Sequence, residues 1–152
     1  MYKKIAALAL ALAVSPVAFA GAEAGDSEVQ IFGNVTMTDT TDTYAIYANY
    51  GYYFTDAVLV NFLFGYAGAS GSEVTLFGVG AEYNFSGEDM VPYLFANVNG
   101  VSGTGFSETG YGFGAGIKVY LTENAGYRMS VGMDSYDSFD QTAINLGLFY
   151  NF

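Results

Sequence analysis

The feature that most constrains this chain is an alternation of apolar and other residues that recurs along most of its length. In the last ten residues every second position is large and apolar or aromatic: Ile144, Leu146, Leu148, Tyr150 and Phe152. Successive side chains of a β-strand point to opposite faces, so a period of two places these residues on one face of a strand. A final aromatic in mid-pattern predicts a strand that is paired and held rather than frayed.

Similar segments of about ten residues precede this one, separated by residues that favour turns. The predicted strands span residues 28–38, 44–54, 57–67, 74–85, 91–100, 110–121, 127–136 and 142–152. No segment between them has a helical period. Eight antiparallel strands can close into a barrel with both chain ends on the same side, which leaves no unpaired sheet edge. We therefore predict an all-β fold, an eight-stranded antiparallel barrel.

The connections fall into two classes. Short turns are predicted at the end that carries both termini: Thr55–Asp56, Ser86–Met90 and Thr122–Gly126. Loops are predicted at the opposite end: Asp39–Thr43, Gly68–Glu73, Val101–Thr109 and Asp137–Gln141. The third loop is rich in Gly, Ser and Thr, and it is the one expected to be flexible.

The charged and amide residues of the predicted strands indicate which face is inside. They share one parity: Gln30, Asn34, Asn49, Asn61, Glu82, Asn97, Lys118, Arg128, Asp134 and Asn145. The opposite parity is almost purely apolar, as in Phe62, Phe64 and Tyr66 of the third strand. A lipid-facing charge costs about 2–4 kcal/mol near the bilayer centre. Polar side chains that face the lumen and apolar side chains that face outward therefore predict a transmembrane barrel. A soluble eight-stranded barrel of the lipocalin kind, the alternative, would reverse the two faces.

Aromatic residues at the strand ends fit the same prediction. On the outer parity they are Tyr44, Tyr52, Phe54, Tyr66, Tyr83, Phe85, Tyr111, Tyr127 and Tyr150. Rings with an apolar body and a polar tip favour the boundary between lipid and water. We expect them to form interfacial girdles.

The first twenty residues have the pattern of an export signal. Lys3 and Lys4 precede an apolar run over residues 5–14, and Ala18-Phe19-Ala20 is a small-x-small cleavage site. This run is too short for a membrane anchor, which needs about 20 apolar residues. We predict a cleaved signal peptide at residues 1–20 and one barrel domain at residues 21–152.

Composition excludes several function classes. The chain has fifteen acidic and four basic residues, and two of the basic residues lie in the predicted signal, so no basic footprint for nucleic acid exists. It has no His and no Cys, which removes His-dependent general bases, Cys nucleophiles and disulfides. The glycines of Gly110–Gly114 lie within a predicted strand, not at the strand-to-helix turn of a nucleotide loop. We predict no catalytic residue, no metal site and no cofactor.

The lumen charges are the candidate functional residues. Lys118 and Arg128 share the inward parity near the third short turn, and Glu82 lies at similar depth on the fourth strand. Isolated charges in a narrow barrel are costly, so pairing is expected. Two interpretations stay open: an electrostatic plug or gate near the mouth, or an internal ion-pair network that only stabilises. Asp134 would extend this network or line a cavity.

Inward aromatic residues and inward glycines have opposite effects on the space inside the barrel. The aromatics would fill much of the lumen: Phe32, Tyr47, Tyr53, Tyr93, Phe95, Tyr120 and Phe149. The glycines remove inward side chains from the fourth and sixth strands: Gly78, Gly80, Gly112, Gly114 and Gly116. They either let bulky neighbours pack and the sheet coil, or they open a pocket or lateral path for a small hydrophobic molecule.

The alternating strands and the closing stripe of Leu146, Leu148, Tyr150 and Phe152 resemble the superfamily of small bacterial outer-membrane barrels that includes the OmpA transmembrane domain and the OmpX/Ail-type and OmpW-type proteins. The segment Gly112–Thr122 is similar to part of the penultimate hairpin of OmpA-like barrels. The resemblance implies residence in the bacterial outer membrane and contact with its lipid and lipopolysaccharide. It also implies that the closing stripe is read by the barrel assembly machinery, and that periplasmic chaperones bind the chain before insertion.

Acidic loop residues could hold divalent cations that bridge to lipopolysaccharide phosphates, or they could serve solubility alone. They are Asp39, Asp42, Glu73, Glu108, Asp137 and Asp140.

Two functions are predicted. The first is an integral outer-membrane barrel with a structural or surface-interaction role and no catalytic activity. The alternative is a narrow pore or conduit for small or hydrophobic molecules, gated by the lumen charges.

Overall fold

The computed structural model describes residues 22–37, 42–69 and 72–152. The signal peptide predicted at residues 1–20 and the loop acid Asp39 lie outside these ranges. The side chains of Asn34 and Asp42 also lie outside what the structure describes. The cleavage site and the domain boundary at residue 21 therefore stay predictions.

The described residues form one closed antiparallel barrel. Its strands are β1 Ser27–Met37, β2 Asp42–Tyr53, β3 Val58–Ala69, β4 Ser72–Asn84, β5 Met90–Gly103, β6 Phe106–Tyr120, β7 Ala125–Tyr136 and β8 Asp140–Asn151. Each strand pairs with its neighbours in sequence, and β8 pairs with β1. Among these residues no helix is long and apolar enough to cross a membrane. The predicted eight-stranded all-β fold is confirmed.

The last strand closes the barrel. It pairs with β1 from Glu28↔Asn151 to Thr36↔Ala143. The ladder continues to the final residue, because Ser27 and Phe152 exchange two backbone hydrogen bonds of 2.9 Å. The chain end is therefore paired, as the alternation predicts.

The two ends of the barrel differ in their connections. One end, here called the terminal end, carries residues 22–26, Phe152 and the turns at residues 54–57, 85–89 and 121–124. Two of these turns share a mechanism: the Thr55 hydroxyl accepts from the Val58 amide at 3.0 Å, and the Thr122 hydroxyl accepts from the Ala125 amide at 3.0 Å. A Thr hydroxyl that bonds nearby backbone amides stabilises a tight turn, so the sequence favours these positions.

At the other end, here called the distal end, the strands run further than predicted. The prediction of a flexible loop over Val101–Thr109 is wrong, because β5 continues to Gly103 and β6 begins at Phe106. A two-residue turn joins them, and Gly105 adopts a φ of 86°, a left-handed conformation that glycine enters without steric cost. The Ser and Thr content of this segment favours a loop prediction. Here, however, the segment continues the ladder through Val101↔Glu108 and Ser102↔Ser107.

The other predicted distal loops are shorter too. β2 already begins at Asp42, β3 extends to Ala69, β4 begins at Ser72 and β8 begins at Asp140. Ladder pairing at the strand ends satisfies backbone groups that a loop would leave to solvent.

The predicted faces are confirmed where side chains are described. Outward apolar side chains are largely exposed, for example Phe62 at 64%, Phe64 at 62% and Leu148 at 65%. Inward Gln30 and Asn61 are buried. The closing stripe also faces outward, since Leu146, Leu148, Tyr150 and Phe152 are all exposed. Such a continuous apolar belt suits lipid and contradicts the soluble lipocalin-like alternative.

Candidate functional site

Four charged side chains from four strands meet inside the terminal half of the lumen. Lys118 on β6 and Arg128 on β7 are direct register partners. Glu28 comes from β1 and Glu82 from β4, on other parts of the wall. All four take the inward parity of their strands, so closure of the barrel brings them together. We call Glu28, Glu82, Lys118 and Arg128 the lumen network.

Lys118 is held mainly by Glu28. Its Nζ lies 2.8 and 2.9 Å from the two carboxylate oxygens of Glu28, and 3.1 Å from Oε2 of Glu82. It also lies 3.0 Å from the hydroxyl of Tyr53, which donates to Glu28 at 3.0 Å. The ammonium is thus surrounded by oxygens that match its three N–H donors.

Arg128 is held by Glu82 and by two neutral groups. Its guanidinium donates to Glu82 Oε1 at 2.8 Å and to the Tyr93 hydroxyl at 2.7 Å. It also donates to the side-chain oxygen of Gln30, whose nitrogen donates to Glu28. Gln30 therefore joins the two ion pairs, and Glu82 contacts both cations.

The lumen network is almost completely removed from solvent. Glu28 and Lys118 are 0% exposed, Glu82 is 2% and Arg128 is 6%. Two acids and two bases give the group no net charge. Buried charges are tolerated when they are paired and hydrogen-bonded, whereas removing one partner leaves an uncompensated charge.

Aromatic and aliphatic side chains seal this half of the lumen. Tyr53 and Tyr93 are 1% exposed, and Leu59 is 0% exposed. Ala22 packs against Tyr53 and Leu59 at the terminal mouth, where the amide of Gly25 donates to the Tyr53 carbonyl at 2.9 Å. Lys118 Nζ lies 5.6–5.7 Å from three ring centroids: Tyr53, Tyr93 and Phe149. These side chains fill the lumen at this level.

A polar cavity remains above the lumen network. It has a volume of about 70 Å³, and Glu82 and Arg128 lie at its terminal side. Six amide side chains contribute to its wall: Asn49, Asn61, Asn97, Asn99, Gln141 and Asn145. An apolar cluster that includes Tyr47, Leu76 and Tyr136 adjoins it on the distal side. A polar space of this size has room for a few water molecules. We call it the distal chamber.

The sequence-predicted site residues separate into two places. Glu82, Lys118 and Arg128 come together in the lumen network. Asp134 does not join them: it lines the distal chamber and accepts hydrogen bonds from Asn99 and Gln141, each at 3.2 Å. Of the two predicted alternatives for Asp134, the geometry favours the cavity.

Sequence reasoning missed Glu28. It occupies the first position of the predicted strand 28–38 and has the same parity as Gln30, so the signal was present. A charged residue at the end of a predicted strand is usually interpreted as exposed to solvent. Here residues 22–26 and the turn at 54–57 continue beyond it, and Glu28 becomes fully buried.

The inward glycines make room for lumen rings. A Cβ on Gly116 would lie 2.5 Å from the ring of Tyr93, and one on Gly114 would lie 2.6 Å from the ring of Phe95; each would lie closer still to a carbonyl oxygen of β7. One on Gly80 would meet the side chain of Asn61 at 2.9 Å. These contacts favour the packing interpretation of the glycines, and the space that remains is the amide-lined distal chamber.

Among the described residues, no group of three or more His, Cys, Asp or Glu side chains is placed to hold a metal ion. At the distal end, Glu108 accepts a hydrogen bond from the Ser138 hydroxyl at 2.6 Å, which ties the β5–β6 hairpin to the β7–β8 connection.

No protein-family profile and no curated protein sequence matches this chain. Solved structures do match. The N-terminal β-barrel domain of Pseudomonas aeruginosa OprF is 24% identical, with a TM-score of 0.71 over 84% of this chain and 98% of that one. The fold and size of the two barrels therefore correspond almost end to end.

Two further structures carry the same fold. Neisserial surface protein A has a TM-score of 0.64 at 15% identity, over 84% of this chain and 97% of that one. A de novo designed transmembrane β-barrel has a TM-score of 0.67 at 16% identity, over 87% of this chain and 99% of that one. The chain thus has the fold of the small eight-stranded outer-membrane β-barrels.

Proposed function

We propose that this protein is an integral outer-membrane β-barrel with a structural role and no catalytic activity. The observation that carries the proposal is the sealed terminal half of the lumen, where Glu28, Lys118 and Leu59 are 0% exposed inside a barrel with an apolar outer belt. A barrel built this way stabilises itself through its interior and presents lipid with an apolar belt. Natural outer-membrane barrels of the same fold support the location.

In this proposal the terminal end faces the periplasm and the distal end faces outward. The distal rim is then the surface available for interaction. It carries exposed aromatics at Phe106 and Phe139, together with acids such as Glu108 and Asp137. Tyr and Phe side chains at this level suit the lipid headgroup region, and the acids suit contact with lipopolysaccharide through divalent cations.

Planar-bilayer recording of the refolded mature protein tests the structural role. We expect a folded barrel that inserts and shows no discrete openings, because the lumen network and its aromatic neighbours close the terminal half. Insertion is checked separately by protection of the strands from protease in lipid vesicles. Regular openings of the wild-type protein would contradict the proposal.

A gated pore is the second candidate, and one specific feature favours it. Glu82 contacts both cations, with Oε1 at 2.8 Å from Arg128 and Oε2 at 3.1 Å from Lys118. In this candidate, Glu82 shifts toward one of the two cations while staying paired, which gives the network a second arrangement. The distal chamber would then be the outer part of a path that the network closes.

Recording from Glu82→Ala and Lys118→Ala separates the two candidates. A gated pore predicts openings in the wild type that become larger or more frequent in both variants. A structural barrel predicts silence in all three. Glu123→Gln, in the exposed terminal turn at residues 121–124, is the matched control that changes charge outside the lumen.

The proposed cellular partners follow from the closing stripe. We assign recognition by the assembly machinery, after delivery by periplasmic chaperones, to Leu146, Leu148, Tyr150 and Phe152. Removing the outward ring with Phe152→Ala should slow insertion in cells more than it changes the stability of the refolded barrel. If the insertion rate in cells and the stability of the refolded barrel fall equally, Phe152 has a folding role only. A small hydrophobic ligand remains a proposal tied to the pore candidate.

A further inference from the structure

The described lumen acids outnumber the lumen bases by one. Glu28 and Glu82 are balanced by Lys118 and Arg128, which leaves Asp134 as the acid without a cationic partner among the described residues. Its carboxylate receives only amide hydrogen bonds, from Asn99 and Gln141 at 3.2 Å each. Amide donors stabilise a carboxylate but do not neutralise it, so the distal chamber carries a net negative charge.

The wall of the distal chamber also holds surplus acceptors. Asn99 is 4% exposed and Asn49 is 7% exposed, and the side-chain oxygen of each lacks a hydrogen-bond partner among the described residues. The amide nitrogens are committed elsewhere: that of Asn99 donates to Asn97 and Asp134, and that of Asn49 donates to Gln30 at 3.1 Å. Both residues line the chamber. Buried acceptors without donors are costly unless water or a cation satisfies them.

We propose that the distal chamber binds one monovalent alkali cation, Na⁺ or K⁺, with Asp134 as its counter-charge and amide oxygens and water as its other ligands. A cavity of about 70 Å³ has room for such an ion with part of its hydration. A single carboxylate matches a single positive charge, whereas Ca²⁺ takes 6–8 oxygen ligands and favours several carboxylates. The proposal does not require the barrel to conduct.

Equilibrium unfolding of the refolded barrel in detergent micelles tests this site. The probe is NaCl, compared with N-methyl-D-glucamine chloride at equal ionic strength, because the large organic cation cannot enter the chamber. A ligand that binds the folded state alone shifts the folding equilibrium by a factor of 1 + [L]/Kd, so Na⁺ at ten times its Kd would give a shift of about tenfold.

Asp134→Asn should abolish the Na⁺-specific shift, because the isosteric amide removes the counter-charge. The control Glu123→Gln removes an exposed acid at the terminal end and should keep the full shift. A shift of equal size in both variants would assign the effect to surface charge and overturn the proposal. Equal stability in the two salts for the wild type would also overturn it, leaving a chamber that holds water only.

A direct measurement of Na⁺ binding on the folded barrel complements the unfolding experiment. Bound Na⁺ broadens the ²³Na resonance, and K⁺ that competes for the chamber should narrow it again. Broadening that K⁺ reverses, and that Asp134→Asn lacks, supports the site. Broadening that persists in Asp134→Asn would contradict it. Conductance does not enter either readout, so this proposal and the structural role succeed or fail separately.

Discussion

The two halves of the lumen use polar side chains in opposite ways. In the terminal half, Lys118 and Arg128 are matched by two carboxylates, and every member of the lumen network is less than a tenth exposed. In the distal half, Asp134 has amide partners only, and a cavity of about 70 Å³ remains beside it. In the terminal half the charges are balanced and the lumen is filled. In the distal half the charge is unbalanced and space remains in the lumen.

This contrast indicates where function can arise in so narrow a barrel. A neutral, sealed network stabilises the wall and blocks passage, since opening it exposes unpaired charges. The distal chamber, in which the charge of Asp134 is not balanced, has space and negative charge for a ligand from outside the protein.

Glu82→Gln should be the most destabilising change. It removes one of two acids from the lumen network and leaves a surplus positive charge buried between Lys118 and Arg128, at a cost of about 3–5 kcal/mol in the free energy of unfolding. Urea unfolding in micelles measures it. The double variant Glu82→Gln with Lys118→Met restores neutrality and should recover part of the loss. A cost below 1 kcal/mol for Glu82→Gln, on the order of a solvated surface pair, would show that the network is wet.

Gly116→Ala tests how tightly the terminal half is filled. The new methyl group would lie 2.5 Å from the ring of Tyr93 and closer still to the Met129 carbonyl oxygen, so both the strand and the ring must move. Overpacking of this kind costs about 1–3 kcal/mol. Gly33→Ala is the matched control, because its outward position meets only the Ala45 carbonyl at 3.2 Å. Equal effects of the two changes on the unfolding midpoint would contradict a filled terminal half.

Gly105→Ala examines the distal hairpin. The φ of 86° at Gly105 lies in the left-handed region, where a Cβ costs roughly 1–2 kcal/mol. We expect a loss near the lower end of that range, because the turn is exposed and can relax. Gly105→Asn should lose less, since Asn tolerates this conformation better. A stability unchanged by Gly105→Ala would indicate that the turn adopts another conformation.

Asp134→Asn should have the smallest effect when alkali cations are absent. Loss of charge-assisted hydrogen bonds from Asn99 and Gln141 destabilises the barrel, while removal of an uncompensated charge stabilises it. The two effects oppose each other, and we expect a net change below about 1 kcal/mol. Glu82→Gln is the matched acid-to-amide change in the other half. A loss as large as that of Glu82→Gln would remove the contrast between the two halves.

Much of the fold could be predicted from the sequence because alternate residues of a strand lie on opposite faces, so the pattern of polar and apolar residues indicates which face is inside. Alternation along residues 142–152 was enough to predict the closing strand, and the parity of Gln30 and Asn61 predicted the inner face. Strand length at the distal end was not predictable in the same way. Residues 101–109 contain Gly, Ser and Thr, which occur in both loops and ladders, and only pairing with a neighbouring strand decides between them.

The alternation and the parity of the charged residues establish that the chain forms strands, which residues face the lumen and that the two lumen cations need acidic partners. The tertiary structure decided which partners they have. Glu28 is ninety positions from Lys118 in sequence, yet its carboxylate lies 2.8 Å from the ammonium. Asp134 is near Arg128 on the same strand, yet it belongs to the distal chamber. Parity fixes the face of a residue, but closure of the wall fixes which inward side chains meet across the lumen, because that depends on every strand at once.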